Sequence, residues 1–410
     1  MLIGSFLPEG VGIDFSHAVT SASYVDLTLG VLAEWGADVI KIEHPASGDP
    51  QRGLVSSGLV PGGTGVNFMF EVPNRGKRSV GIDLTIEGGR ELLYRLVETA
   101  DVFVTNHLPD VRDRLGIDLE HIRARNPNII YVRGSAAGQR GPEKDRGGFD
   151  GASYWARSGL AMAFKEPSAE WPVDQRPAFG DVLGGLTIAG GIAAALVRRE
   201  RTGTPSVVDV SLLGMGLWSL APEVTSAKLF EGVEIPTFDR DSIPNPLVGT
   251  YPTKDGRYIT IVLLQSDRYW PDLCAHLERP DLLDDPRFAD AAARYEHRRE
   301  CIEILRDVFR SRTYAEWCER FQTLQGVWAP MQTPLEVHDD PQVVANGYLE
   351  TLASSSGAEF ALPANPVQFD ETPPKVRGAP DHGEHTDEVL LELGLTYDEI
   401  LEHKITGAVL

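Results

Sequence analysis

Two glycine-marked aspartates are the residues of this sequence best placed to do chemistry. Asp150 stands in GGFDGASYWARSGL and Asp181 in AFGDVLGGL. Neighbouring glycines allow sharp turns and close approach of a ligand to the carboxylate. A helical pattern follows Asp181, so this residue is expected at the helix N-cap, beside free backbone N–H groups that favour negative charge. A carboxylate in that position can act as a covalent nucleophile, forming an acyl or phosphoryl intermediate that divides one difficult step into two. A plain N-cap for Asp181 and a turn residue for Asp150 fit the same pattern, and the residues alone leave the choice open.

Other chemistries find no footing. GxSxG, HExxH and a GxGxxG after the first strand are all absent from the sequence. NRGKRS (74–79) imitates the end of a phosphate-binding loop, but Glu71 takes the place of the leading glycine and a strand follows where a helix is required. His382 and His385 lack further residues at ligand spacing, so no metal is expected. With 38 Lys+Arg against 60 Asp+Glu the formal charge is −22, which argues against a nucleic-acid partner. The acid is unevenly spread, since residues 71–157 hold 14 Lys/Arg and 13 Asp/Glu. Arg75, Lys77, Arg78, Arg112, Arg114, Arg133, Arg140, Lys144 and Arg146 in that stretch suit either an anionic ligand or solvated helix faces.

The elements that must position these residues alternate. Strand-like runs at GIDF (12–15), ADVIKIE (37–43), RSVGIDL (78–84), DVFVTN (101–106) and NIIYVRG (128–134) are separated by helical patterns at 87–100 and 109–126. This alternation predicts an α/β fold with a Rossmann-like parallel, doubly wound sheet, and ligands then belong in the loops after Glu43, Asn106 and Gly134. The helix after Asp181 ends with Arg198, Arg199 and Arg201 before a Gly203 stop, and its many small residues imply close packing. Its uncharged run, 182–197, is shorter than the ~20 apolar residues of a membrane span. A Pro/Gly-containing connection at 242–256 precedes a smaller unit with helices near 267–278, 294–310 and 313–324, and the tail opens its last helix with a Thr396…Glu399 capping box. The 410 residues suffice for two or three domains. Cys274, Cys301 and Cys318 have no CxxC spacing, and no basic segment precedes the first apolar stretch, so a cytoplasmic location without membrane attachment is expected.

Six ordered blocks add a resemblance. LGVLAEWGADVIKIEHPASGD (29–49), NRGKRSVGIDLTIEGGRELLYRLVETADVFVTNHLPDVRDRLGID (74–118), GQRGPEKDRGGFDGASYWARSGL (138–160), FGDVLGGLTIAGGIAAALVRRERTG (179–203), DRYWPDLCAHLERPDLLDDPRF (267–288) and GEHTDEVLLELGLTYDEI (383–400) resemble the family III CoA-transferases, the CaiB/BaiF family, which also contains the α-methylacyl-CoA racemases. The resemblance implies a large CoA-binding α/β domain from 1–215 and 331–410, a linker at 216–245, a smaller inserted α/β domain at 246–330, and an interlocked homodimer. It implies a nucleophile at Asp181, with Asp150 as an auxiliary acid. CoA or acyl-CoA is then a substrate, a carboxylic acid the acceptor, and no metal or redox cofactor takes part. Matched position by position, His44, Ile82, Asn106 and Arg114 fall where the family contacts CoA. Thr85 stands in place of a common lysine and His107 in place of a common phenylalanine, and the first loop (16–26) is longer than usual. Family racemases carry a histidine where this chain has Phe149, and phenylalanine cannot exchange a proton at an α-carbon. A catalytically silent CoA-binding protein is the remaining alternative. Tyr154, Trp155 and the 237–248 segment are candidate pocket walls.

Overall fold

The computed structural model describes residues 2–3, 23–56, 58, 63–230, 239–354 and 356–410. The expected strand at 12–15, the 16–22 part of the first loop and residues 231–238 lie outside the described residues. Described residues fall into two units: one from 1–165, 171–232 and 342–410, the other from 166–170 and 233–341.

The first unit is built on a six-stranded sheet. β-branched runs make its strands: β1 (Leu2–Ile3), β2 (Val39–Glu43), β3 (Arg78–Gly81), β4 (Val102–Thr105), β5 (Ile130–Ser135) and β6 (Val207–Ser211), in the spatial order β3-β2-β1-β4-β5-β6. Pairing is parallel for β2–β3, β4–β5 and β5–β6, as the alternation predicts. The expectation of an all-parallel sheet is corrected at its middle, where the two residues of β1 run antiparallel to both β2 and β4. Every residue of β2 and β4 is buried, which is what layers on both faces of a sheet require.

Helix Glu87–Thr99 buries Leu92, Leu93, Leu96 and Val97 on one face, as its periodicity predicts. The single helix expected at 109–126 is two. Gly116, at φ 69, closes Pro109–Leu115, and the Asp118 carboxylate caps Leu119–Arg125 by accepting from the N–H groups of Glu120 and His121. Part of the expected linker at 216–245 is helical as well, in Leu212–Ser219 and Ala221–Leu229.

The tail returns to this unit. The N–H of Leu410 donates to Gly81 O, that of Asp83 to Ala408 O, and that of Gly81 to Thr386 Oγ1, so the chain end adds to the sheet beside β3. The capping box at Thr396 and Glu399 forms as expected.

The second unit has its own core. Antiparallel strands Val248–Pro252, Tyr258–Val262 and Val327–Pro330 pack with helices Ser266–His276, Arg298–Phe309 and Tyr314–Arg320 around Tyr251, Trp270, Phe309, Trp317 and Phe321. A hollow of about 500 Å³ in this unit is lined by Arg240, Ile243, Val248 and Tyr258 among others. Cys274 and Cys301 are buried and Cys318 half-buried, all three unbridged.

Candidate active site

Asp181 is the third residue of helix Phe179–Thr202 and not its N-cap. Ala178 holds the cap position at φ 57, a left-handed conformation that is uncommon without glycine, and its side chain can accept nothing. The expected free N–H groups are also taken. Asp150 Oδ2 accepts from the backbone N–H of Gly180 at 3.2 Å and of Asp181 at 3.4 Å, and Asp150 Oδ1 accepts from the Gln175 side-chain amide. A carboxylate remote in sequence thus does the work of the missing cap. Asp150 itself leads into a π-helical turn, Gly151–Ala156, whose Tyr154 lies beneath Gly180. A Cβ on Gly180 would overlap the Tyr154 ring and come within 2.7 Å of Asp150 Oδ1, so this approach requires glycine. Asp181 is 6% and Asp150 8% exposed. Tyr154 is buried, with its hydroxyl 3.1 Å from Ser219 Oγ, and so belongs to the core; half-buried Trp155 stacks on Phe164.

The far end of the helix fixes its direction. Arg199, in the last turn, donates to Asp101 Oδ1 at 2.6 Å, and Asp101 directly precedes β4. The helix C-terminus therefore sits at the amino edge of the parallel strands. Its 24 residues rise roughly 36 Å, whereas the strands it crosses have four to six residues and span roughly 13–20 Å. The first turn, with Asp181, consequently overshoots the carboxyl edge, where ligands bind in such sheets.

Helix Ser23–Glu34 supports that turn. A Cβ on Gly185, one turn past Asp181, would meet Leu27 Cβ at 2.7 Å and the Thr28 backbone N at 3.0 Å, so the two helices touch through glycine. Buried charges anchor the supporting helix. Asp26 Oδ1 accepts from Lys41 Nζ and Lys77 Nζ, both at 3.0 Å, and both ammonium groups also donate to Asn74 Oδ1. Burial by itself would raise the Asp26 carboxyl, but the two lysines hold it well below the usual carboxylate range. Burial likewise opposes ionisation of Glu43, yet the Arg52 guanidinium, Lys41 and Ser79 push it down to about 2. Lys77 is therefore consumed by structure, as are Arg75 on Glu34, Arg78 on Asp38 and Arg133 on Asp209.

Ligand-contact candidates line the carboxyl edge unequally. His44 follows β2; its Nδ1 accepts from the N–H groups of Ala46 and Ser47, which leaves Nε2 to carry the proton, 3.5 Å from Asp83 Oδ2. Thr85 donates to the same Asp83 carboxylate. Ile82, by contrast, has a wholly buried side chain and a backbone bridged to Val409. Asn106, after β4, lines a hollow with His107, Arg112, Ser135, Lys144 and Arg146. Arg114 is exposed and outside that lining, whereas Arg112 is buried and donates to His107 O at 2.8 Å. Burial lowers the Arg112 guanidinium below its ordinary value. The two arginines are two residues apart, which on a helix puts them on nearly opposite faces; only the helix register separates them. The sequence pattern gives no sign of Gln175, which sits in an irregular stretch with no periodic or motif signal.

Helix Phe179–Thr202 is, among the described residues, the one helix long and apolar enough to cross a membrane by length and composition. Its Gly184, Gly185, Ile188, Ala189 and Ile192 are nevertheless buried within the first unit.

The model of CoA-transferase family III matches residues 13–386. The chain is 33% identical to (R)-2-hydroxy-4-methylpentanoate CoA-transferase of Clostridioides difficile, over 90% of this chain and 91% of that protein. It is 30% identical to cinnamoyl-CoA:phenyllactate CoA-transferase of Clostridium sporogenes, over 90% of each, and 31% identical to succinate–glutarate CoA-transferase of Agrobacterium fabrum, over 88% and 90%. The crystal structure of a CaiB/BaiF family protein from Brucella suis superposes with a TM-score of 0.78 at 27% identity, covering 93% of this chain and 97% of that one. The chain is an enzyme that belongs to CoA-transferase family III.

Proposed function

We propose that this chain moves CoA from an acyl-CoA donor to a carboxylic acid through covalent chemistry at Asp181. Its carboxylate oxygen attacks the thioester carbonyl carbon; the C–S bond breaks and CoA leaves as thiolate, giving a mixed anhydride. The thiolate attacks the aspartyl carbonyl and expels the donor's acid, leaving an aspartyl-CoA thioester. The acceptor carboxylate then attacks this thioester, and the released thiolate takes up the acceptor's acyl group, which restores Asp181. The position of Asp181 carries the reading: it is a nearly buried carboxylate in the first turn of a helix that overshoots the carboxyl edge. Backbone N–H groups of the surrounding glycine turns are the candidate donors to the tetrahedral oxyanions.

CoA lies along the same edge in this proposal. His44, Asn106 and Arg114 are its contacts by resemblance, and the hollow adds Arg112, Lys144 and Arg146. The large domain is assigned to 1–215 with 331–410 and the small domain to 246–330. The active form is an interlocked cytoplasmic homodimer, a reading supported by Val182, Leu183 and Val197 of the long helix and by Trp218, all exposed on the single chain. The acceptor is a small organic acid, and the relatives' names make 2-hydroxy acids and dicarboxylates the first classes to try.

Peptide mass spectrometry after incubation with a mixed pool of acyl-CoAs, with and without hydroxylamine, tests the mechanism. An acyl- or CoA-sized adduct on the Asp181 peptide that hydroxylamine removes is the expected result. Exchange of the α-proton with solvent deuterium and no adduct would replace the reading with racemisation. CoA binding with neither signal would leave a silent binding protein.

A further inference from the structure

Asp150 accepts from three protein N–H donors: Gly180, Asp181 and the Gln175 amide. Two lie in the first turn of the nucleophile's helix. The third comes from the segment leading into it, where Ala178 offers no cap. We infer that Gln175 and Asp150 are a positioning pair that fixes the first turn of the helix bearing Asp181, so that Asp150 serves as an anchor and not as an acid or base. This inference rests on the proposed role of Asp181.

The amide of Gln175 shows how firmly the pair is oriented. Its Nε2 faces the carboxylate while its Oε1 is buried without a hydrogen-bond partner. Turning the amide over would satisfy neither oxygen, because Oε1 would then face the Asp150 carboxylate. The charge-assisted bond therefore holds the side chain in place even though it strands an oxygen. With both Asp150 oxygens so engaged and the residue 8% exposed, the carboxylate is committed to the protein. Gly180, which tolerates no Cβ between Tyr154 and Asp150, sets the distance. A nucleophile displaced by even about 1 Å loses a large part of its rate, so the anchor acts on kcat and not on CoA affinity.

A swap of the two side chains separates anchoring from chemistry. Gln175→Glu leaves two carboxylates facing each other, whereas in Asp150→Asn the Gln175 amide can turn over so that its Oε1 accepts from the new side-chain N–H. Gln175→Glu is expected to lower kcat about 10- to 100-fold with the acyl-CoA KM nearly unchanged, and Asp150→Asn, which keeps a donor–acceptor pair, to lose much less. In the double variant the amide now at position 150 donates its N–H to the carboxylate now at position 175, while its carbonyl oxygen still accepts from Gly180 and Asp181. Most of the lost kcat, and the single-turnover rate of hydroxylamine-sensitive adduct formation on Asp181, should return. A double variant no faster than Gln175→Glu overturns the inference, because the donor–acceptor pair is then restored without restoring the rate, and an acid or base at position 150 cannot be restored from position 175. Full activity in Gln175→Glu overturns it as well. Should the swap fail to fold, Gln175→Ala removes only the donor; a kcat loss of about tenfold is expected, and an unchanged kcat refutes the pair. Absence of an Asp181 adduct in the unaltered protein would instead refute the nucleophile itself, whatever the swap does.

Discussion

Gly185 and Gly190 lie on the same helix and should respond to alanine with opposite signs. In a helix interior, glycine to alanine gains about 1 kcal/mol from propensity alone. At Gly190 a Cβ meets nothing within 4 Å, so that gain stands, at roughly 0.5–1 kcal/mol. At Gly185 the Cβ would lie 2.7 Å from Leu27 Cβ, 2.9 Å from Leu27 C and 3.0 Å from Thr28 N. Two of these are backbone atoms in mid-helix, which no rotamer change can move, so the cost belongs at the upper end of overpacking, about 3 kcal/mol. The net expectation is a loss of about 2 kcal/mol, which puts the two variants about 3 kcal/mol apart. Urea denaturation at several protomer concentrations measures this, since self-association would show as concentration dependence. Separating the helices also displaces Asp181, so kcat of Gly185→Ala should fall with the stability. Equal stabilisation by both substitutions would refute the close approach of helices Ser23–Glu34 and Phe179–Thr202.

Asp181→Ala should abolish transfer yet still bind CoA in a calorimetric titration; ordinary turnover would remove the nucleophile from the mechanism. Glu43, held near 2 when folded against an ordinary 4.5, binds a proton less readily in the native state. It therefore adds stability above about pH 4.5, roughly 3 kcal/mol, that is lost as pH falls toward 2. Urea unfolding near pH 6 and near pH 3 should show a shallower acid loss in Glu43→Gln, and an unaltered slope would count against the Arg52–Glu43 pairing. Lys41→Met leaves Asp26 and Asp49 with one fewer buried cation and should destabilise by about 3–5 kcal/mol in the same assay. Lys144→Ala should raise the acyl-CoA KM several-fold at unchanged kcat, most visibly at low salt; an equal effect at all salt concentrations would place Lys144 away from the phosphates.

Much of the scaffold was legible because its signals are local. Strand-like runs announced β2 to β5, and the amphipathic period of 87–100 announced a helix that buries Leu92, Leu93, Leu96 and Val97. Thr396 with Glu399 marked the last helix, and Gly203 the end of the long one. Gly116 was legible in principle as a stop, but the apolar period running past it concealed the break. The candidate site was only half legible. Asp150 and Asp181 stood out by their glycines, whereas Gln175 carries no pattern.

The sequence by itself determined the alternating elements, the acidic charge, the lack of common catalytic signatures and the two aspartates at which chemistry was expected. Tertiary structure decided what those residues are doing. It turned Asp150 into the remote cap of the Asp181 helix and chose Arg112 over Arg114 for the hollow. It also buried Ile82 under the returning chain end and bound Arg75, Lys77, Arg78 and Arg133 in ion pairs. Each decision depends on which distant segments meet and in what register. Periodicity reports only that a residue belongs to a face, while hydrogen bonds and charges are settled by what the opposite face presents.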